Sequence, residues 1–243
     1  ILAAGISKRL RPLTATTPKC LLKIGSKTLL QRLVENAMKA GCTDFCVVTG
    51  FKATKIRQFL STRFPKRSFL EIQNERFSST NNMYSLSLAK EFVGGSSFLL
   101  LDCDIVFGGD LLPYFNGFER YYNRLAVRVR GPHDEEEIKV KINRWDQILR
   151  IGKDVPLRET YGESIGIGLF SSTAVLKLFR IIEERIKAGP GKREFYEAAF
   201  QQLIDLGTRL WAVDVSDFPS AEIDTHEDLE RARQKILPGI EHA

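Results

Sequence analysis

From Leu2 to Gln73 the chain alternates short buried-type strands with segments of helical period, and that alternation restricts the fold more than any other feature. Thr28 to Ala40 places Leu29, Leu30, Leu33, Val34, Ala37 and Met38 on one helical face, with Gly41 as the stop. Phe45 to Thr49 follows as a strand ended by Gly50, Thr54 to Phe64 returns as an amphipathic helix before Pro65, and Phe69 to Gln73 is the next strand. Strands that lack polar alternation are buried on both faces, so this β-α-β order predicts an α/β/α arrangement around a mostly parallel sheet.

At the start of the chain, Leu2-Ala3-Ala4 runs into Gly5 and then into a loop dense in small residues and cations, with Pro18-Lys19 shortly after. Gly5 is expected to take a backbone conformation closed to other residues and so to let main-chain N–H groups approach an anion. Leu2, Ala3, Ala4, Gly5 and Ser7 then form a candidate phosphate cradle. Arg9 offers a fork of donors that fits phosphate oxygens, and Lys19 a compact charge that can follow a phosphate through its reaction. A plain βα turn with solvated cations has the same small-Gly-basic character; the Pro18-Lys19 continuation favours the anion-binding reading.

Further along, Ser97 to Phe107 reads as one continuous strand carrying Asp102 and Asp104. Residues two apart on an extended chain share a face, and buried carboxylates are costly unless paired or metal-bound, so these acids point to a cation. Glu222 and Asp224 repeat the pattern before a final helix capped by Thr225 or Asp224. Asn81 or Asn82 is expected to cap the helix that carries Ser85 and Leu86, while an amide there can also recognise the edge of a base. Beyond these, 125–130, 138–142, 147–152 and 210–215 read as strands, 143–146 as a hairpin connection, and 133–137 as a solvated acidic turn. Helices are expected over 173–188 and 193–206. The glycines of Tyr161 to Phe170 admit either close ligand approach or a tightly packed strand.

With 243 residues the chain fits one domain, read in two parts at about residues 1–115 and 116–243. Lysine and arginine total 36 against 30 acidic residues, for a charge of +6, which suits polyanionic ligands without the basic-aromatic stripe of a nucleic-acid binder. Cys20, Cys42, Cys46 and Cys103 lack zinc-site spacing and read as free thiols, which fits the cytoplasm. No apolar run approaches the roughly 20 residues that span a bilayer, so no membrane insertion is expected. Because Ile1 falls inside a strand, a few residues are expected to precede it in the full protein. His133, His226 and His242 stand in no triad-like setting.

Leu-Ala-Ala-Gly-x-x-x-Arg-Leu-x-Pro-Leu-Thr, followed by Pro-Lys, resembles the signature of the nucleotidyltransferases that couple a nucleoside triphosphate to a phosphorylated sugar or alcohol. That family usually has a second glycine near the position of Ser7. The resemblance implies a Rossmann-like fold of the nucleotide-diphospho-sugar transferase type. It also implies a magnesium ion, Mg2+, on Asp104 and Asp224, catalytic roles for Arg9 and Lys19, and a nucleotide site that includes Asp102. The Asn-Asn-x-Tyr-Ser-Leu run over Asn81, Asn82 and Ser85 is similar to the phosphocholine cytidylyltransferase branch, which makes CTP the expected nucleotide. Gly-Glu-x-x-Gly-Ile at Gly162 to Ile167 resembles the strand beside the family's acceptor pocket and brings in Glu163.

The acceptor is read from Glu222, which has no cation of its own in sequence. A quaternary ammonium between Glu222 and the rings of Trp145 and Tyr161 would supply one, which favours phosphocholine; equally, Glu222 pairs with a basic residue such as Lys153. A sugar-1-phosphate or inositol-phosphate nucleotidyltransferase would share the phosphate machinery, and a non-catalytic regulator would lose the metal ligands. A homodimer is an admissible assembly.

Overall fold

The computed structural model describes residues 1–118, 122–131 and 135–241. His133 and Asp134 of the expected acidic turn, and His242, lie outside the described residues. In chain order the strands are β1 (Leu2–Ala3), β2 (Lys23–Ile24), β3 (Lys27–Thr28), β4 (Phe45–Thr49), β5 (Phe69–Gln73), β6 (Phe98–Leu101), β7 (Ile105–Phe107), β8 (Arg124–Arg128), β9 (Lys139–Ile142), β10 (Ile148–Gly152), β11 (Gly162–Phe170), β12 (Trp211–Asp214) and β13 (Ser220–Glu222). The α-helices are α1 (Leu29–Lys39), α2 (Ala53–Arg63), α3 (Asn82–Leu88), α4 (Lys90–Val93), α5 (Leu111–Asn116), α6 (Ser172–Ala188), α7 (Glu197–Asp205), α8 (His226–Arg231) and α9 (Leu237–Ile240).

The chain forms two compact units, one from Ile1–Ser78, Leu101–Asn116 and Phe218–Ala243, the other from Ser79–Leu100 and Gly117–Asp217. In the first unit β1, β4 and β5 are parallel, with Leu2 beside Val48 and Phe45 beside Phe69. Thr28 caps α1 by accepting the Gln31 amide at 3.1 Å, and the helix buries Leu29, Leu30, Leu33, Val34 and Ala37, the face its period predicts. Away from that sheet, β7 pairs antiparallel with β13. Leu10, Ile24, Leu29, Val106, Ala221, Ile223, Leu229, Ala232 and Ile240 form a cluster beneath this pair. Each large apolar side chain there contributes roughly 1.5–3 kcal/mol by leaving water.

The second unit is built on a mixed sheet of order β10-β9-β11-β8-β12, with β6 also pairing to β11. In it β12 runs parallel to β8, β11 is antiparallel to β8 and β9, and β9 and β10 form the expected hairpin. Gly162 is of the packed kind, because a Cβ there would lie 2.6 Å from the Arg128 carbonyl oxygen. The expected helix over 193–206 is shorter, starting at Glu197, because Asn82 Oδ1 accepts the Tyr196 amide at 2.8 Å and Arg193 closes a 3₁₀ turn onto Pro190. Among the described residues no helix is long and apolar enough to cross a membrane.

The expected single strand over 97–107 is two strands. β6 pairs with β11, whereas β7 pairs with β13, and Asp102 between them makes a parallel bridge to Leu2. Cys103 donates its amide to the Leu2 carbonyl at 3.2 Å, and the chain turns before Ile105. The change of partner is what breaks the extended run, so Asp102 and Asp104 do not share a face by simple alternation.

Candidate active site

The first loop leaves β1 and closes into a 3₁₀ turn over Lys8–Leu10. Gly5 does not take the left-handed conformation expected of it; Ser7 does, at φ 52° and ψ 55°. A Cβ on Gly5 would meet nothing closer than Ser7 Oγ at 4.0 Å, so this face of the loop is open to an approaching group. The strain at Ser7, about 1 kcal/mol for a residue with a Cβ, is offset by the use made of its carbonyl. That oxygen accepts the Leu10 amide at 3.2 Å and the Thr14 hydroxyl at 2.7 Å.

Register brings the acids together. Glu222 lies opposite Ile105 in the β7/β13 pair, and the Ile223 amide donates to the Asp104 carbonyl at 2.9 Å. Asp224 follows directly and is held by Asp228, whose Oδ2 accepts the amides of Asp224 and Thr225 at 3.1 and 2.8 Å. Thr225 is the cap of α8, accepting the Asp228 amide at 3.2 Å. As a result the carboxylate oxygens of Asp104, Glu222 and Asp224 lie within 4.8 Å of one another.

Lys19 sits against this cluster with its side chain 9% exposed, its Nζ 2.8 Å from Asp104 Oδ2 and 2.7 Å from Asp224 Oδ1. Arg9 donates to the other Asp224 oxygen and is otherwise solvent-facing. Burial works against charge on Lys19, but Asp104 and Asp224 outweigh it and hold the ammonium above the ordinary lysine range. Burial likewise opposes ionisation of Asp224, and Lys19 and then Arg9 reverse that, keeping its pKa low. Glu222 fares differently: although the residue is exposed, partial loss of water around its carboxylate, then Asp104 and Asp224, push its pKa up to about 8. A hard divalent ion is usually held by one or two carboxylates plus the oxygens of a phosphate ligand, and Asp104 with Asp224 fits that donor set, Glu222 being the third acid at hand.

Glu222 also supplies a test. Its folded pKa of about 8 stands above the ordinary 4.5, so the unfolded chain loses this proton first and the group costs stability as pH rises between those values. Glu222→Gln, melted in the presence of a chelator, should match the parent near pH 5 and exceed it at pH 8. The gain should be a few degrees, about 1 kcal/mol after discounting for the solvent that reaches this residue. A variant no more stable than the parent at pH 8 would show that the carboxylates do not crowd one another.

The remaining sequence-predicted residues lie in the second unit, except Asp102, whose backbone bridges Leu2 and whose residue stands outside the three-acid cluster. Asn81 caps α3 by accepting the Asn82 amide at 2.8 Å and donates to the Arg193 carbonyl at 3.3 Å. Ser85 is buried in the same helix. Glu163 is buried on β11 and paired with Arg128 of the neighbouring strand. Trp145 is exposed at the β9–β10 turn with the Arg144 guanidinium 4.1 Å above its ring, and Tyr161 is half-buried before β11. Lys153, the alternative partner for Glu222, pairs with Glu136 at 2.8 Å. Two residues at the site escaped sequence reasoning. Asp228 was legible in the Thr-x-x-Asp spacing of a capping box, whereas nothing in the pattern flagged His226, whose Nε2 lies 2.9 Å from the Arg11 carbonyl.

A strand opening into a cation-bearing loop, closed by acids that flank two strands far apart in sequence, defines a nucleotide-handling class of protein, and the chain belongs to the nucleotidyl transferase family, whose model matches residues 1–236. Among curated relatives, the choline-phosphate cytidylyltransferase of Streptococcus pneumoniae is 33% identical over 104 residues, 43% of this chain and 43% of that protein. The bifunctional IPC transferase and DIPP synthase of Aquifex aeolicus is 28% identical over 239 residues, 98% of this chain but 51% of that protein. The chain thus spans about half or less of the length of these two relatives. Among solved structures, the inositol-1-phosphate CTP transferase from T. maritima superposes with a TM-score of 0.82 at 20% identity, covering 100% of this chain and 95% of that one. The CTP:phosphocholine cytidylyltransferase from Streptococcus pneumoniae gives 0.77 at 20% identity, covering 96% of each. The fold is the mixed α/β fold of the nucleotide-diphospho-sugar transferases, with the parallel sheet that the sequence predicts.

Proposed function

We propose that this chain transfers a cytidylyl group from CTP to a phosphorylated small alcohol. The observation that carries the reading is the convergence of Lys19 and Arg9 on Asp104 and Asp224 beside an open glycine loop. In the reaction a phosphate oxygen of the acceptor attacks the α-phosphorus of CTP, the bond from that phosphorus to the β-phosphate oxygen breaks, and pyrophosphate leaves. A phosphate is already an anionic nucleophile, so no protein base is required. The Lys19 ammonium has three N–H donors, two of them spent on aspartates, and presents the third to the α-phosphate. Arg9 spends one nitrogen on Asp224 and offers the rest of its fork to the outer phosphates. Asp104 and Asp224 would hold Mg2+, which when bound neutralises charge on the phosphates.

Asn82, its oxygen taken by the Tyr196 amide, is left presenting its NH2 group, which suits the O2 and N3 acceptors of cytosine; Asn81 and Ser85 belong to the same proposed base site. Trp145, Tyr161 and Glu163 are assigned to the acceptor. Phosphocholine is the favoured acceptor, and Glu222, the acid assigned to its cation, stands among the aspartates. The likeness in fold to the inositol-1-phosphate CTP transferase from T. maritima supports inositol phosphate as the second reading. Pyrophosphate release should be measured for CTP, UTP, ATP and GTP against phosphocholine, inositol-1-phosphate and glucose-1-phosphate. CTP with one of the two alcohol phosphates is the expected pair. A preference for UTP with the sugar phosphate would overturn the reading, and silence with every pair would indicate a nucleotide-binding regulator.

A further inference from the structure

We infer that His226 is a positioning residue that fixes the loop carrying Arg9 to the helix that follows Asp224. This rests on the proposed role of that loop in holding a nucleotide. His226 is the first residue of α8, exposed, with its Nε2 2.9 Å from the carbonyl oxygen of Arg11. A carbonyl only accepts, so Nε2 carries the proton and donates. Two further ties run between the same elements. Leu10 is fully buried in the cluster that contains Leu229 and Ala232, and Arg9 donates to Asp224. Of these ties, the Leu10 packing sets how deeply the loop sits, and the Arg9 bond holds only the far end of a long side chain. The His226 bond alone acts on the main chain of the loop. It therefore sets the direction in which Arg9 leaves the backbone, whichever partner that side chain has at the moment.

The test compares His226→Ala with His226→Gln, whose amide can reach the same carbonyl. With CTP and the acceptor found above, His226→Ala should raise KM for CTP about tenfold, the scale on which one hydrogen bond acts, with kcat within about twofold. His226→Gln should restore KM, and both should melt with the parent protein. Amide hydrogen exchange in the ligand-free protein provides a second readout. The Leu10, Arg11 and Thr14 amides, which close the loop onto Ser7, Lys8 and Leu10, should exchange faster in His226→Ala and recover in His226→Gln, while those of α1 stay unchanged. Unchanged KM and unchanged loop exchange would overturn the inference, as would a loss that follows a lowered Tm and is not rescued by glutamine. If the parent protein turns over no substrate, the proposed activity fails by itself, and loop exchange alone decides whether His226 holds the loop.

Discussion

Asp224→Asn is expected to lower pyrophosphate release by about a thousandfold or more, the loss seen when a charge-stabilising group is removed from a polar site. The residue meets three demands at once: one oxygen pairs with Lys19, the other with Arg9, and its carboxylate belongs to the acid cluster with Asp104 and Glu222. Asparagine keeps the shape and drops the charge. Lys19 then retains Asp104 as its single anion and Arg9 loses its partner. The fold should survive, because the Asp228 bonds that hold the segment reach the backbone of Asp224 and not its side chain. A melting temperature within a few degrees of the parent, together with absent turnover, is the expected result. Asp104→Asn should behave alike, and more than a tenth of parental turnover in either variant at saturating magnesium would remove that residue from the site.

Lys19→Ala should move two measurements in opposite directions. Turnover should fall by about 10² to 10³, since the α-phosphate loses its buried cation, while KM for the nucleotide changes only a few-fold because Arg9 remains. Affinity for the divalent ion alone should rise, since the ammonium now sits 2.7 to 2.8 Å from the oxygens that would bind it and competes for them. Calorimetric titration of Mg2+ into the nucleotide-free proteins reads this second effect directly. Weaker ion binding in the variant would mean that Lys19 assembles the aspartates instead of competing for them.

Much of the site was readable because its chemistry is tied to chain geometry. The apolar run into Gly5, the basic pair Arg9 and Lys19, and the acids at 104 and 224 all stand out by type and spacing, and the structure brings the four charged side chains together. What escaped was set by pairing across long sequence separations. No local pattern announces that the run over 97–107 changes partner at Asp102, because both halves are apolar and extended. Glu222 was read beside Asp224 but without Asp104 for the same reason: Asp104 arrives through the β7/β13 register, more than a hundred residues away. Ser7 shows a subtler limit. The left-handed residue of the loop is Ser7 and not Gly5, and a serine carries no local sign of that backbone, so the expectation settled on the neighbouring glycine.

The unit that holds the site is assembled from three separated stretches of chain, and this fixes an order of events during synthesis. When a ribosome has delivered residues 1–217, the stretches of the second unit are complete, but the first still lacks Phe218–Ala243. Leu10, Ile24, Leu29 and Val106 wait without Ile223, Leu229, Ala232 and Ile240 to cover them, and β7 has an open edge. Exposed apolar surface beside an unpaired strand is the combination that chaperones bind and that aggregates grow from. Lys19 and Asp104 are present throughout this interval with no Asp224 between Lys19 and Arg9. Asp224, and with it the second anion for Lys19 and the partner of Arg9, joins the cluster only when the third of these stretches docks.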